Sequence, residues 1–216
     1  MTVAGIVFDK DGTLFDFDKT WGVITKALIE TETNHAPHRQ RELAQVLGFD
    51  IENVLFHPGS IVIASTSDVV ADTILPFTQD NDRDALVARM TAATSVTPQV
   101  QVTDLQDLFA NLKDRNIKLG IATNDAEKPA LANLDQANVT GLFDFIAGFD
   151  SGFGAKPASG QLRAFCDQVG LGADQCVMVG DSLHDLHAGR DAGMRTIGVL
   201  TGPAPRAELS PFADVV

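Results

Sequence analysis

The chain has 216 residues, of which 44% are hydrophobic and 21% are charged. This composition is typical of a globular protein and argues against disorder. Acidic residues outnumber basic ones, 29 against 16, so the formal net charge is −13. Because a surface of this sign repels phosphate backbones, we expect no nucleic acid partner. No window approaches about 18 uncharged apolar residues, so we expect no membrane partner either.

The first apolar run, Val3 to Phe8, meets charged residues from position 9 onwards. This is too early for the apolar region of a signal peptide, so the expected compartment is the cytoplasm. The two cysteines, Cys166 and Cys176, lie in or beside apolar stretches. We interpret both as small buried hydrophobic residues, not as a redox pair.

Five short apolar runs predict the buried strands of a parallel sheet. They are Val3 to Phe8, Ile117 to Ala122, Phe145 to Ala147, Cys176 to Val179 and Thr196 to Leu200. Helical patterns follow at 103–115, 127–137, 159–169 and 183–192. The first opens with a capping box from Thr103 to Gln106, and the last two end at the Gly170 to Gly172 stretch and before Gly193. This alternation predicts an α/β fold with a doubly wound parallel, Rossmann-like sheet.

One connection is much longer than the others, because about 90 residues without a long β-branched run separate the first strand from the helix at 103. Helical patterns lie within it near 17–34, 38–47, 67–77 and 81–93. A structureless loop of this length is improbable inside a compact domain, so we predict an inserted helical cap. The predicted organisation is an α/β core of residues 1–15 and 98–216 with an inserted cap of residues 16–97.

Polar residues stand directly after four of the predicted strands. They are Asp9 and Asp11, then Thr123 and Asn124, then Lys156, then Asp181 and Asp185. In an open α/β sheet, ligands bind beside the carboxyl ends of the strands, so these groups are expected to share one crevice. An aspartate after a strand is by itself usually a cap or turn residue, and only the joint pattern favours a function.

These segments resemble the motifs of the haloacid-dehalogenase-like hydrolase superfamily, specifically its phosphatases with a helical cap after the first strand. The first motif, DxDGT, stands at Asp9 to Thr13, and the fourth, GDxxxD, stands at Gly180 to Asp185. Thr123 and Lys156 match the second and third motifs. Residues 180–194 also resemble the phosphoglycolate-phosphatase-like branch. The resemblance implies a phosphoric monoester hydrolase, with phosphoglycolate as the first candidate substrate.

The residue types suit this chemistry. A phosphomonoester is an anion that hydrolyses very slowly without a catalyst, so catalysis needs strong electrostatic stabilisation. With an ordinary pKa of about 3.9, Asp9 is expected to be an anionic nucleophile that forms an aspartyl-phosphate. Asp11 is expected to act as general acid and then general base, with its side chain away from the metal. Lys156 and the Thr123 hydroxyl are expected to bind the phosphoryl oxygens, together with Asn124.

A cation is needed between the two anions that react. Mg²⁺ prefers oxygen ligands, and the carboxylates of Asp9, Asp181 and Asp185 can supply them. The resemblance adds the backbone carbonyl of Asp11 as a ligand. Whether Asp185 binds the metal directly or through water stays open. The predicted cofactor is therefore Mg²⁺, and the predicted partner is a small phosphorylated metabolite, with the oligomeric state undetermined.

Two alternative functions stay open. A phosphomutase of the same superfamily uses the same core but returns the phosphoryl group to a sugar. A receiver-like signalling domain stores a phosphoryl group on an aspartate without being an enzyme, although by resemblance that aspartate follows the third strand.

Within the cap and its entry, several side chains are weaker candidates. Phe15, Phe17 and Trp21 are expected to pack the cap helices more than to line the pocket. Any of the four cap arginines can in principle bind a substrate carboxylate; they are Arg39, Arg41, Arg83 and Arg89. His184 and His187 lack a third soft ligand, so we do not expect a zinc site.

Overall fold

The computed structural model describes residues 3–63 and 65–216. Met1, Thr2 and Ala64 lie outside the described residues, and with them two positions of the predicted core and one of the predicted cap. Within the described part of the chain, none of the helices combines the length and the apolar character needed to cross a lipid bilayer.

The strands, in chain order, are β1 (Gly5–Phe8), β2 (Phe49–Asp50), β3 (Leu55–Phe56), β4 (Lys118–Ala122), β5 (Phe145–Ala147), β6 (Cys176–Gly180) and β7 (Arg195–Gly198). The α-helices are α1 (Phe17–Glu32), α2 (Pro37–Leu47), α3 (Ser67–Ile74), α4 (Arg83–Val96), α5 (Leu105–Asp114), α6 (Glu127–Gln136), α7 (Gly160–Val169), α8 (Leu183–Ala192) and α9 (Arg206–Leu209).

Five parallel strands form the central sheet in the order β5-β4-β1-β6-β7. The central strand β1 places Phe8 opposite Ile121 on one side and opposite Val179 on the other. Apolar side chains cover both faces of the sheet, with Phe109 in the cluster on one face and Phe165 in that on the other. Two buried faces explain why the strands are continuous apolar runs, and the predicted fold class is confirmed.

Most element ends agree with the predictions, and the differences have local causes. The helices α7 and α8 end at left-handed glycines, Gly170 with φ 70° and Gly193 with φ 85°. The predicted capping box is wrong by one residue, because the carboxylate of Asp104, not Thr103, accepts the cap hydrogen bond of α5. The last strand ends at Gly198, and Leu200 beyond it is half-exposed.

Between β1 and α5 the chain forms helices α1 to α4 around a hydrophobic cluster of their own, which includes Ile29, Leu43 and Leu86. The segment also contains an antiparallel β2–β3 hairpin that the sequence analysis missed. Two-residue strands are too short to leave an alternating pattern. The helix α1 ends at Glu32, before the predicted position 34, because Asn34 has a φ of 53°.

The chain enters and leaves this segment through two adjacent backbone stretches. The Asp16 N–H donates to the Val100 carbonyl at 2.8 Å, and the Val102 N–H donates to the Leu14 carbonyl at 3.0 Å. The two crossings therefore run side by side in opposite directions.

The helix α4 packs on α6 of the sheet layer. The Asn133 amide donates to the Thr94 carbonyl at 3.0 Å, and the Gln136 amide donates to the Ser95 carbonyl at 3.0 Å. These bonds hold the end of α4 beside the carboxyl ends of the strands.

Candidate active site

Two acidic residues leave the sheet side by side at its carboxyl edge. Asp9 follows β1 and Asp181 follows β6, and these strands are neighbours. The chain order of the sheet reverses here, and such a switch point is where open α/β sheets bind ligands. The Ser182 side chain caps α8, and the Asp185 carboxylate accepts from the Ser182 hydroxyl at 2.7 Å and the Ser182 N–H at 3.0 Å. This capping box turns Asp185 back towards the strand ends.

The three carboxylates form one buried cluster with a lysine. One oxygen from each of Asp9, Asp181 and Asp185 lies within 4.8 Å of the others. The Lys156 ammonium donates to Asp9 Oδ1 at 2.6 Å and to Asp185 Oδ1 at 2.6 Å. With all four groups ionised, the cluster carries two negative charges in excess.

Burial controls the ionisation of these groups. It raises the pKa of Asp9 to about 7; Lys156 opposes the rise, and Asp185 and Asp11 add to it. Burial, reinforced by Asp9 and Asp185, also holds the pKa of Asp181 well above its ordinary value. Burial lowers the pKa of Lys156, but its two carboxylate partners outweigh this effect and raise the pKa. The expectation of an ordinary Asp9 pKa is therefore wrong for the cluster alone, and another positive charge would restore the anionic forms.

The cluster fits a hard divalent cation. All three charged donors are carboxylates, and together with Lys156 they leave two negative charges in excess, which the charge of Mg²⁺ balances. Two glycines leave the space around Asp181: a Cβ added at Gly12, whose φ is +81°, or at Gly202 would overlap the Asp181 carboxylate. The Thr13 hydroxyl donates to the same carboxylate at 3.3 Å.

Asp11 lies apart from the carboxylate cluster. Its side chain accepts from Lys10 Nζ, with distances of 2.9 and 2.8 Å to its two oxygens. Lys10 is completely buried and also contacts Asp125 Oδ2 at 3.2 Å and Asn133 Oδ1 at 3.0 Å. The sequence analysis missed Lys10 as the partner of Asp11, and with it the contacts of Lys10 to Asp125 and Asn133. Asn133 is a polar residue on the apolar face of α6, and this position could have indicated a buried polar partner.

Thr123 and Asn124 follow β4 and lie beside Lys156. The Thr123 hydroxyl accepts from the Asp125 N–H at 3.0 Å, which leaves its own proton for another acceptor. Asn124 accepts from the Lys156 N–H at 2.8 Å and donates to the Lys156 carbonyl at 2.9 Å. The structure thus ties Asn124 to the backbone that presents Lys156.

A cavity of about 210 Å³ lies above these groups, between the strand ends and the helices of the inserted segment. Phe17 and Trp21 line it and stack on each other, with ring centroids 6.2 Å apart. Phe17 also packs against Phe56, with ring centroids 5.1 Å apart, so the expected packing role is present together with the lining of the cavity. Phe15 is completely buried in the core below. His184 also lines the cavity, whereas His187 packs edge-on against Phe212 at 4.8 Å.

The cap arginines are mostly committed to other parts of the protein. Arg39 donates to the Phe77 carbonyl at 2.9 Å, and Arg83 pairs with aspartates on α3. Among the described residues, Arg89 is the one cap arginine that lines the cavity. It forms a two-pronged ion pair with Glu32, with distances of 2.7 and 2.9 Å.

The sequence model of the haloacid dehalogenase-like hydrolases matches residues 6–199. The chain belongs to this family. It is 29% identical to a phosphoglycolate phosphatase of Colwellia psychrerythraea over 208 residues, covering 91% of this chain and 84% of the relative. It is 25% identical to the pyrophosphatase PpaX of Bacillus velezensis over 200 residues, covering 91% and 83%. The crystal structure of CbbY from Rhodobacter sphaeroides in complex with phosphate has the same fold, with a TM-score of 0.66, 20% identity and coverage of 99% and 93%.

The predicted resemblance is confirmed, including the phosphoglycolate-phosphatase-like branch. As a member of this hydrolase family with phosphatase relatives, the chain is a phosphoric monoester hydrolase. The alternative of a non-enzymatic receiver domain is thereby removed.

Proposed function

We propose that the protein is a Mg²⁺-dependent phosphatase that hydrolyses a small phosphomonoester through an aspartyl-phosphate on Asp9. One observation carries the proposal: Asp9, Asp181, Asp185 and Lys156 converge beneath a single cavity. By similarity, phosphoglycolate is the first candidate substrate.

In the first half of the reaction, a carboxylate oxygen of Asp9 attacks the phosphorus. The new bond joins that oxygen to phosphorus, and the bond from phosphorus to the ester oxygen breaks. Asp11 gives its proton to the departing oxygen, so the product leaves as an alcohol. The contact with Lys10 holds the Asp11 carboxyl apart from the carboxylate cluster.

In the second half, Asp11 removes a proton from the water that attacks the phosphorus of the aspartyl-phosphate. The oxygen of water joins phosphorus, and the bond from phosphorus to Asp9 breaks. Inorganic phosphate leaves, and both aspartates return to their starting states. Lys156 and the Thr123 hydroxyl stabilise the charge on the phosphoryl oxygens in both halves.

Asp9, Asp181 and Asp185 would hold the Mg²⁺, with the Asp11 carbonyl as the ligand implied by the family. When bound, the cation supplies positive charge that lets an anionic nucleophile approach an anionic phosphate. Residues 16–97 would act as a cap that limits the access of bulk water and encloses the leaving group.

The test is the release of inorganic phosphate from 4-nitrophenyl phosphate, with Mg²⁺ and with EDTA. Asp9→Asn keeps the size of the side chain but removes the nucleophile, so turnover should fall on the order of 10³-fold or more. Asp114→Asn, at an exposed position on α5, is the matched control and should retain wild-type turnover. An Asp9→Asn variant with more than a tenth of wild-type activity would contradict the mechanism. Product analysis with a hexose 1-phosphate separates the phosphatase, which releases inorganic phosphate, from a phosphomutase, which gives an isomeric sugar phosphate.

A further inference from the structure

We propose that the natural substrate carries an uncharged, apolar group beside its phosphate, about as large as one aromatic ring. This inference rests on the proposed function, because it assigns the leaving group of the same phosphatase reaction.

The walls of the cavity are predominantly apolar above the carboxylate cluster. The helix α1 contributes Trp21, Ile24 and Leu28, the stretch before α3 contributes Val62, and α4 contributes Met90. These side chains face the space into which the group attached to the phosphate must extend. Such a surface gains free energy by contact with an apolar group and offers nothing to a charged one.

None of the described cap residues that line the cavity is an uncommitted cation. Among these described residues, only Glu32 and Arg89 carry charge. Both prongs of the Arg89 guanidinium bind Glu32, and a further bond at 2.9 Å goes to Asp80. With two carboxylates on one guanidinium, this group is net negative and would repel a carboxylate of the substrate.

Among the described residues at the floor of the cavity, Lys156 is the one lysine or arginine. The Lys156 ammonium already binds Asp9 and Asp185, and in the proposed mechanism it also binds the phosphoryl oxygens. A second anion on the substrate, as in phosphoglycolate, would therefore lack a partner at both ends of the cavity.

The volume sets the size of the apolar group. The cavity measures about 210 Å³. An apolar protein cavity of about 150 Å³ holds one benzene ring, so this one accommodates a ring-sized group beside the phosphate.

The decisive experiment compares benzyl phosphate with 2-phosphoglycolate on the wild-type protein with Mg²⁺. Both lose an alkoxide, so neither has the advantage of an aryloxide leaving group. We expect kcat/KM for benzyl phosphate to be about tenfold higher or more, mainly through a lower KM. Equal values, or a preference for phosphoglycolate, would overturn the proposal.

Variants test separately the two reasons for this preference, which are the apolar walls and the negative charge around Arg89. Trp21→Ala should lower the ratio of kcat/KM for benzyl phosphate to that for methyl phosphate by about tenfold. Val23→Ala on the same helix is the control, because Val23 is 57% exposed and should leave the ratio unchanged. An unchanged ratio in Trp21→Ala would overturn the apolar-wall argument.

Glu32→Gln leaves one carboxylate, Asp80, on Arg89 and keeps the shape of the side chain. It should raise the ratio of kcat/KM for phosphoglycolate to that for benzyl phosphate by roughly two- to fivefold. A lowered or unchanged ratio would overturn the charge argument.

The two proposals fail in different ways. If none of the three esters releases phosphate, or if Asp9→Asn remains active, the proposed function is wrong. If phosphate is released with Asp9 required but phosphoglycolate is preferred, only the assignment of the leaving group is wrong.

Discussion

Lys10→Met removes a completely buried ammonium group with several partners. Lys10 Nζ contacts Asp11, Asp125 at 3.2 Å and Asn133 at 3.0 Å. Burial lowers the pKa of Lys10, but Asp11 and Asp125 outweigh it and hold the pKa above its ordinary value. The lysine is therefore charged at neutral pH and balances buried carboxylates. Methionine preserves most of the aliphatic stem but none of these contacts.

The expected cost follows from the groups left behind. The Asn133 oxygen and the Asp125 carboxylate would lose their lysine partner, at about 1–3 kcal/mol for each unsatisfied buried group. Breaking a buried ion pair by removing one partner typically costs about 3–5 kcal/mol. We therefore expect Lys10→Met to reduce the free energy of unfolding by about 3–5 kcal/mol, a large part of the total stability of an ordinary domain.

Urea denaturation at pH 7 measures this loss, with Lys19→Met as the control. The Lys19 side chain is 67% exposed and pairs with Asp16, so its removal should cost less than about 1 kcal/mol. The double variant Lys10→Met/Asp125→Asn should recover part of the loss, because it removes the stranded charge. A loss below about 1 kcal/mol in Lys10→Met, or no recovery in the double variant, would refute the reasoning.

The loss should also depend on pH. Burial holds the pKa of Asp125 above its ordinary value, with Lys10 opposing, so removal of the lysine raises it further. A carboxyl whose pKa is raised by folding stabilises the folded state increasingly as pH falls through that folded pKa towards the unfolded one. The loss in free energy of unfolding caused by Lys10→Met should therefore become smaller as pH falls from 8 to 5. A loss that does not change with pH would contradict this cause.

Three further predictions concern other titrating groups. Burial raises the pKa of Asp144, but hydrogen bonds from a backbone N–H and two lysines outweigh it and lower the pKa to about 2. Asp144→Asn should therefore cost about 1–2 kcal/mol at pH 7 in thermal melts, and the cost should fade as pH falls from 4 towards 2. Burial raises the pKa of the Cys166 thiol and that of Cys176, the latter to about 12, so neither should react with a disulfide reagent before urea unfolds the protein. Because burial raises the pKa values of Asp9 and Asp181, the protein in EDTA should melt at higher temperature as pH falls from 8 to 5. At a concentration about 100 times its Kd at pH 7.5, Mg²⁺ should add about 2.7 kcal/mol at that pH. The same concentration should add less at pH 5, since protons compete for the ligands, and an equal gain at both pH values would argue against binding by these carboxylates.

The sheet could be predicted from the sequence because each strand is buried on both faces. A strand such as β6 is then a continuous apolar run, and it ends where Asp181 begins. Glycines in the left-handed conformation mark the ends of α7 and α8 equally well, because other residues rarely adopt it. The same strand ends predict that Asp9, Asp181 and Lys156 lie at one edge of the sheet.

Partners that depend on three-dimensional packing could not be predicted. Lys10 stands between two aspartates in the sequence, and a lysine in such a charged stretch gives no indication that its side chain is fully buried. Thr103 and Asp104 can both cap a helix, and the backbone path decides between them. Arg89 was one of four equivalent cap arginines, and only the folding of α1 against α4 brings Glu32 to it.

The inserted segment does not affect the topology of the central sheet, because the chain enters and leaves it through two paired stretches, Leu14 to Asp16 and Val100 to Val102. Phe15 and Gln101 form an antiparallel bridge, so the two ends of the excursion lie one strand spacing apart. The geometry of the sheet therefore does not depend on how many residues the inserted segment contains. Closing a longer segment costs only slightly more conformational entropy. The length or the sequence of the inserted segment can therefore change without altering the connections of the central sheet.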